Sequence, residues 1–140
     1  MESFRKSPLT GVLALCLLAG CGGVDDKPKL GTVTGTVTMD GQPLPNVWVM
    51  FNPTTGRTAL GHTDENGHYE LKFTEDADGA NLGSHKVVIM TYHEDEIAEQ
   101  QINTGKAPKE PIPAKYNAKT TLTAEVKEGE NVIDFPLESK

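Results

Sequence analysis

Cysteine is nearly absent from this sequence: 140 residues hold two, Cys16 and Cys21, both near the N-terminus. No internal disulfide can staple the remainder of the chain, so any fold must stand on a hydrophobic core, which a chain of this length can build as one domain. A basic stripe is also missing. Thirteen Lys and Arg lie interspersed among 20 Asp and Glu, for a formal charge of −7. Nucleic acid requires a cationic footprint, so no such partner is expected, and charge alone would not hold the chain to anionic lipid. Serine nucleophiles are scarce: past residue 21 only Ser84 and Ser139 remain, and neither lies in a G-x-S-x-G elbow. Ser84 and His85 are neighbours, so on a strand they face opposite ways. Neither G-x-G-x-x-G nor a Walker sequence is present to cradle a phosphate. These absences leave no catalytic residues and no cofactor, and a non-enzymatic protein is expected.

What is present begins with "MESFRKSPLTGVLALCLLAGC". Arg5 and Lys6 precede an apolar run from Leu9 to Ala19. That run is shorter than the roughly 20 residues of a spanning helix and suits a signal-peptide core. It ends in Leu18-Ala19-Gly20-Cys21, which resembles the bacterial lipobox. The resemblance implies cleavage after Gly20, with small Ala19 and Gly20 admitting the peptidase and the Cys21 thiol receiving diacylglycerol. Acylation would also account for the lone thiol of the exported chain. Residues 1–20 thus read as a signal peptide and 21–31 as a lipidated cysteine followed by a tether of glycines, a proline and charges. Each buried acyl CH₂ contributes about 0.8 kcal/mol, so two or three chains anchor firmly. The expected partner at this end is the membrane, through acyl chains on Cys21. Gly22 in place of Asp after the cysteine implies the outer membrane under the Gram-negative sorting rule.

From Thr32 the pattern has period two. Val33, Val37 and Met39 share one face and Thr32, Thr34, Thr36 and Thr38 the other; Val47, Val49 and Phe51 oppose Trp48 and Met50. "RTALGHT", "HYELKF", "HKVVIMTY", "TTLTAEV" and "NVIDFPL" come next, with Tyr69, Leu71 and Phe73 on one face of the second and Leu122, Ala124, Val126 and Ile133, Phe135, Leu137 on single faces of the last two. These runs predict seven strands and an all-β fold, an antiparallel sandwich over residues 32–140. "EDEIAEQQI", Glu94 to Ile102, shows no apolar stripe and predicts two helical turns at most.

The stretch "TDENGHYEL", Thr63 to Leu71, is the most polar cluster. Asn66-Gly67 is a strong hairpin signal, since both residues tolerate positive φ, and Asp64 and Asn66 can bond nearby backbone amides. A calcium loop of the helix–loop–helix kind needs Gly at its sixth position and Glu at its twelfth; Gly67 stands fourth in the run from Asp64, and Asp76 to Gly79 has the same defect. His62-x-x-Glu65 with His68 carries the letters of a zinc site. A loop of two or four residues sets the two histidines on opposite faces, whereas a three-residue loop would not. His93 to Glu96 is a second H-x-x-E, read as a solvated acidic cluster. No metal is expected, and a metal-dependent hydrolase is the least favoured reading.

"GTVTMDGQPLPNVWVMFNP", "GHTDENGHYEL" and "GSHKVVI" together resemble the carboxypeptidase-regulatory-like domain, a transthyretin-like (prealbumin-like) seven-stranded Greek-key sandwich. With "LAGCGG" ahead, the whole chain looks like short bacterial lipoproteins that carry this domain. The resemblance implies a fold and little about activity. The Tyr-Arg-Gly-Ser end of the related hydroxyisourate hydrolase is replaced by "PLESK", and the H-x-H iron motif of intradiol dioxygenases is missing.

Two features point to binding. Trp48 and Met50, opposite the inward residues, either offer a contact surface for an envelope glycan or peptide or lie on a face partly covered by a loop. The segment from 94 to 119, with Pro108, Pro111 and Pro113, reads either as a polyproline-like docking strip or as a crossover between the two sheets. The expected protein is a lipid-anchored component of the cell envelope with a structural or binding sandwich. The oligomeric state is open.

Overall fold

A computed structural model describes residues 27–140. The segment read as a signal peptide, Cys21 and most of the expected tether lie outside the described residues. The strands are β1 (Leu30–Met39), β2 (Gln42–Pro43), β3 (Trp48–Pro53), β4 (Ala59–His62), β5 (His68–Glu70), β6 (Lys72–Thr74), β7 (Ala77–Asp78), β8 (Ala80–Asn81) and β9 (Gly83–Met90). Helix α1 (Glu94–Thr104) and a 3₁₀ turn (Ala114–Tyr116) come next, then β10 (Thr123–Val126), β11 (Gly129–Val132) and β12 (Phe135–Leu137). The seven predicted strands are all present, though two are broken in the middle.

The first sheet is built on β1, flanked on one side by β11 and β12 and on the other by β2, β5 and β8; the second runs β10-β9-β3-β4-β6-β7. The order β9-β3-β4-β6 places the fourth run beside the first, which is the Greek-key return. Pairing is antiparallel throughout except where β1 meets β11 and β12, which run parallel to it. Alternation holds on the inner faces: Val33, Val37, Val49, Phe51, Leu71, Val87 and Ile89 are all fully buried. Trp48, Met50, Leu60 and Val88 face outward and are half-buried.

The polar stretch turns the chain from one sheet to the other, with β4 pairing β6 and β5 pairing β1. Its geometry differs from the expected hairpin loop of two or four residues. Gly67 N donates to Asp64 O at 3.0 Å and Asp64 N to His68 O at 2.9 Å, enclosing residues 65–67. The Asp64 carboxylate organises this loop by accepting from Asn66 N at 2.9 Å and His68 N at 3.0 Å. Only Gly67, at φ 74°, takes the positive region there. A Cβ on it would meet Val37 O at 2.5 Å, so glycine also permits the close approach to β1. The two-residue turn with both central φ positive is instead at Asp40 (φ 50°) and Gly41 (φ 82°), between β1 and β2.

Two further corrections concern residues 94–119. The helix has 11 residues rather than two turns, and none of them is buried. Its start is fixed by the Glu96 carboxylate accepting from His93 N at 3.1 Å, and its end by Gly105 at φ 74°. The segment also does not cross between sheets, because β10 pairs with β9 in the same sheet. Nor is "KEPIPAKY" a free strip. Ile112 is buried in the core, Glu110 accepts from Thr91 N and Ile112 N at 2.9 and 3.0 Å, and Asn117 Nδ2 donates to Ile89 O at 3.3 Å. No helix among the described residues is long and apolar enough to cross a membrane.

Candidate functional site

The outward side chains of β3 and β4 are brought together by register: Trp48 pairs with His62 and Met50 with Leu60, while Met90 and Val88 flank them from β9. Cross-strand pairing therefore sets His62 edge-on to Trp48, with ring centroids 4.7 Å apart at 63°. His93, in the residue before α1, covers the indole from another side at 5.3 Å and 51°. Trp48 is half-buried between the two imidazoles, and its Nε1–H is buried without an acceptor.

Beside this cluster lies a groove. One basin of about 210 Å³ is lined by Met50, Asn52, Thr58, Leu60, His93 and Glu94. A second, of about 230 Å³, shares Thr58 and Leu60 and continues to Arg57, Lys72, Phe73 and Glu75. Thr58 Oγ1 donates to Asn52 Oδ1 at 2.8 Å, which fixes the amide and leaves its Nδ2 as donor. Lys72 Nζ bonds Asp78 at 3.0 Å, and that carboxylate holds the ammonium pKa above its ordinary value. Alternation assigns Phe73 to the inner face with Tyr69 and Leu71. The register shift between Lys72 and Thr74 breaks that alternation and leaves Phe73 half-buried at the groove.

The other clusters resolve differently. His62 packs edge-on against Trp48, His68 lies on β5 opposite Thr36 in the first sheet, and Glu65 is exposed in the turn. Among the described residues no three His, Cys, Asp or Glu side chains are placed to hold a metal ion. His93-x-x-Glu96 forms the start of α1 rather than a free acidic cluster. Two buried titratable groups carry no distinguishing signal in the sequence. Tyr69 donates its hydroxyl to Ile133 O at 2.6 Å, and burial, aided by the Asp134 charge, pushes its phenol pKa well up. His85, buried against Phe51, donates Nε2–H to Asn81 O at 2.6 Å and leaves Nδ1 unpartnered.

A wider depression of about 640 Å³ lies between the Asp40-Gly41 turn and residues Pro136 to Lys140. Ser139 N donates to Asp40 Oδ1 at 3.1 Å, and hydrogen bonds from Ser139 hold that carboxyl below its ordinary range. Among the described residues no aromatic side chain lines it. The groove beside Trp48, with Phe73 and His93 in its walls, is the better candidate. Of the side chains singled out from sequence, Met50 lines that groove and Trp48 backs it through His93; Cys21 lies outside the described residues. Asn52, Thr58 and Leu60 are legible in the sequence only as outward positions.

No family model matches the chain, and no curated protein matches it. Among solved structures it is similar to the crystal structure of a DUF3823 family protein from Parabacteroides merdae, with 13% sequence identity and a TM-score of 0.46, covering 79% of this chain and 46% of that one. The chain thus spans about half the length of that structure.

Proposed function

We propose that this chain is a lipid-anchored, non-enzymatic protein of the cell envelope, held at the outer membrane by acyl chains on Cys21. Its carboxypeptidase-regulatory-like sandwich, residues 32–140, binds an envelope glycan or peptide on the outer face around Trp48 and Met50. The observation that carries the anchor is the sequence from Arg5 to Cys21, where charge, apolar length and Leu18-Ala19-Gly20-Cys21 agree. The binding part is supported by the groove that joins Met50 and Leu60 to His93.

Cys21→Ser tests the anchor in a bacterial host. The wild-type chain is expected to take up labelled palmitate and enter the detergent phase. The variant is expected to remain an uncleaved, unlabelled precursor. Maturation and labelling of the variant equal to wild type would refute the anchor.

A further inference from the structure

We infer that the groove on the outer face of the second sheet takes an extended, uncharged oligosaccharide; this rests on the proposed binding role and narrows its ligand class. Three observations favour this class over its competitors.

The first is the floor. β3 pairs on both sides, with β4 and β9, and β4 pairs with β3 and β6. The main-chain N–H and C=O groups of β3 are taken up in these ladders, whereas β4 meets β6 only at Leu60–Lys72, so the floor over β3 is side chain. A peptide laid across it would lose hydrogen bonds to water along its whole backbone and find few replacements; peptides dock better on a sheet edge. A sugar ring brings an apolar C–H face for Met50 and Leu60 and keeps its outer hydroxyls in water.

The second is the polar middle. The Thr58–Asn52 bond sets an amide donor, Asn52 Nδ2, next to a hydroxyl acceptor, Thr58 Oγ1. A sugar hydroxyl both donates and accepts, and an adjacent donor and acceptor satisfy it.

The third is charge. In a chain of formal charge −7, the groove carries two cations, Arg57 and Lys72, opposed by two carboxylates, Glu75 and Glu94. Lys72 is further held by Asp78. With Asp78 counted, two cations face three carboxylates, so the groove is close to neutral and holds no cationic cluster for an anionic ligand. Each basin is smaller than the 300 Å³ or so of an enclosed small-molecule site. Together they cross β3, β4 and β6, roughly 10 Å at ordinary strand spacing, which suits a chain lying along a trough.

Trp48 is the only tryptophan, and His93 touches both it and the groove, so its emission reports occupancy. The full-length chain in detergent micelles is titrated with cellohexaose, xylohexaose, chitohexaose and maltohexaose, in parallel with uncharged hexapeptides and with oligogalacturonate. At least one neutral hexasaccharide is expected to give a saturable change in the range of about 10 μM to 1 mM. Asn52→Ala and Leu60→Asp are expected to weaken it about tenfold each, the loss of one hydrogen bond or of the apolar contact. Thr58→Val serves if Leu60→Asp fails to fold. Saturation by peptides or oligogalacturonate alone overturns the glycan class and leaves a binding face. Absence of any saturable change with every probe up to about 10 mM overturns the binding reading as well. Anchoring is read separately by palmitate uptake.

Discussion

Strand β9 and helix α1 are separated by three residues and hold their shapes for different reasons. β9 buries His85, Val87 and Ile89 on one face while Ser84 and Lys86 stay exposed, and it is paired on both sides, with β3 and β10. α1 buries nothing. Its 11 residues fall just below the roughly 12–15 at which an isolated helix is marginal in water. Local devices hold it: three acids in the first turn against the helix dipole, Glu96 on the His93 amide, and Gly105 at the end. The excursion is closed at its base by Glu110, which ties Thr91 to Ile112. Tertiary burial makes the strand, whereas capping and closure make the helix. Damage to the first should unfold the domain, and damage to the second should stay local.

The largest effect is expected at Gly35. A Cβ there would lie 1.8 Å from Ile133 O and 2.9 Å from the Tyr69 ring. The obstacle is backbone, held where Ile133 N donates to Thr34 O at 2.8 Å and Asp134 accepts from Thr36 N at 2.9 Å. Gly35→Ala must therefore push the last strand away from β1. A cost of about 3 kcal/mol or more is expected, a large share of a small domain's stability. Urea denaturation measures it, and a midpoint within error of wild type would show that the two strands separate freely.

Tyr69→Phe should cost less, about 1–1.5 kcal/mol for one hydrogen bond to a carbonyl that water can partly reach. The phenol also carries a pH signature. Its folded pKa lies above its unfolded one, because burial disfavours the phenolate. Its contribution is therefore complete below the unfolded value of about 10 and falls as pH rises beyond it. Unfolding free energy measured between neutral pH and about pH 11 should slope downward there for wild type, less so for Tyr69→Phe. Equal slopes would mean that the hydroxyl is not held in the core.

The strand–helix contrast also governs what the sequence makes visible. Val49, Phe51, Val87 and Ile89 alternate with outward residues because burial selects them, so the two central strands are plain in the letters. The breaks are not. "HYELKF" reads as one strand but leaves the first sheet after Glu70 and joins the second at Lys72, a change made by packing against β1 and β4. The parallel pairing of β1 with the last strands likewise depends on contacts about 100 residues apart. α1 has no apolar stripe to read because none of its residues is buried. The groove is half-legible: Met50 and Trp48 follow from alternation, while His93 arrives from a distant turn and Phe73 from a register shift.

The smallest effect sharpens the comparison most. Proline in a helix interior ordinarily costs about 3 kcal/mol, by removing a hydrogen bond and clashing with the preceding turn. Ala98 lies inside α1 and is exposed. If α1 folded as part of the core, Ala98→Pro would lower the urea midpoint by the full amount. Since no α1 residue is buried, the loss should fall on the helix alone. Far-ultraviolet helicity is expected to drop and the amides of 97–104 to exchange faster. The global unfolding free energy should move by less than about 0.5 kcal/mol, the range of ordinary surface changes. Trp48 emission gives a further check, because His93 immediately precedes the helix and touches the indole. An unchanged emission would place His93 with the turn that Glu110 holds; a red shift would place it with the helix. A global loss near 3 kcal/mol would mean that α1 and the sandwich fold as one unit, and the distinction between capped and buried structure would fail for this domain.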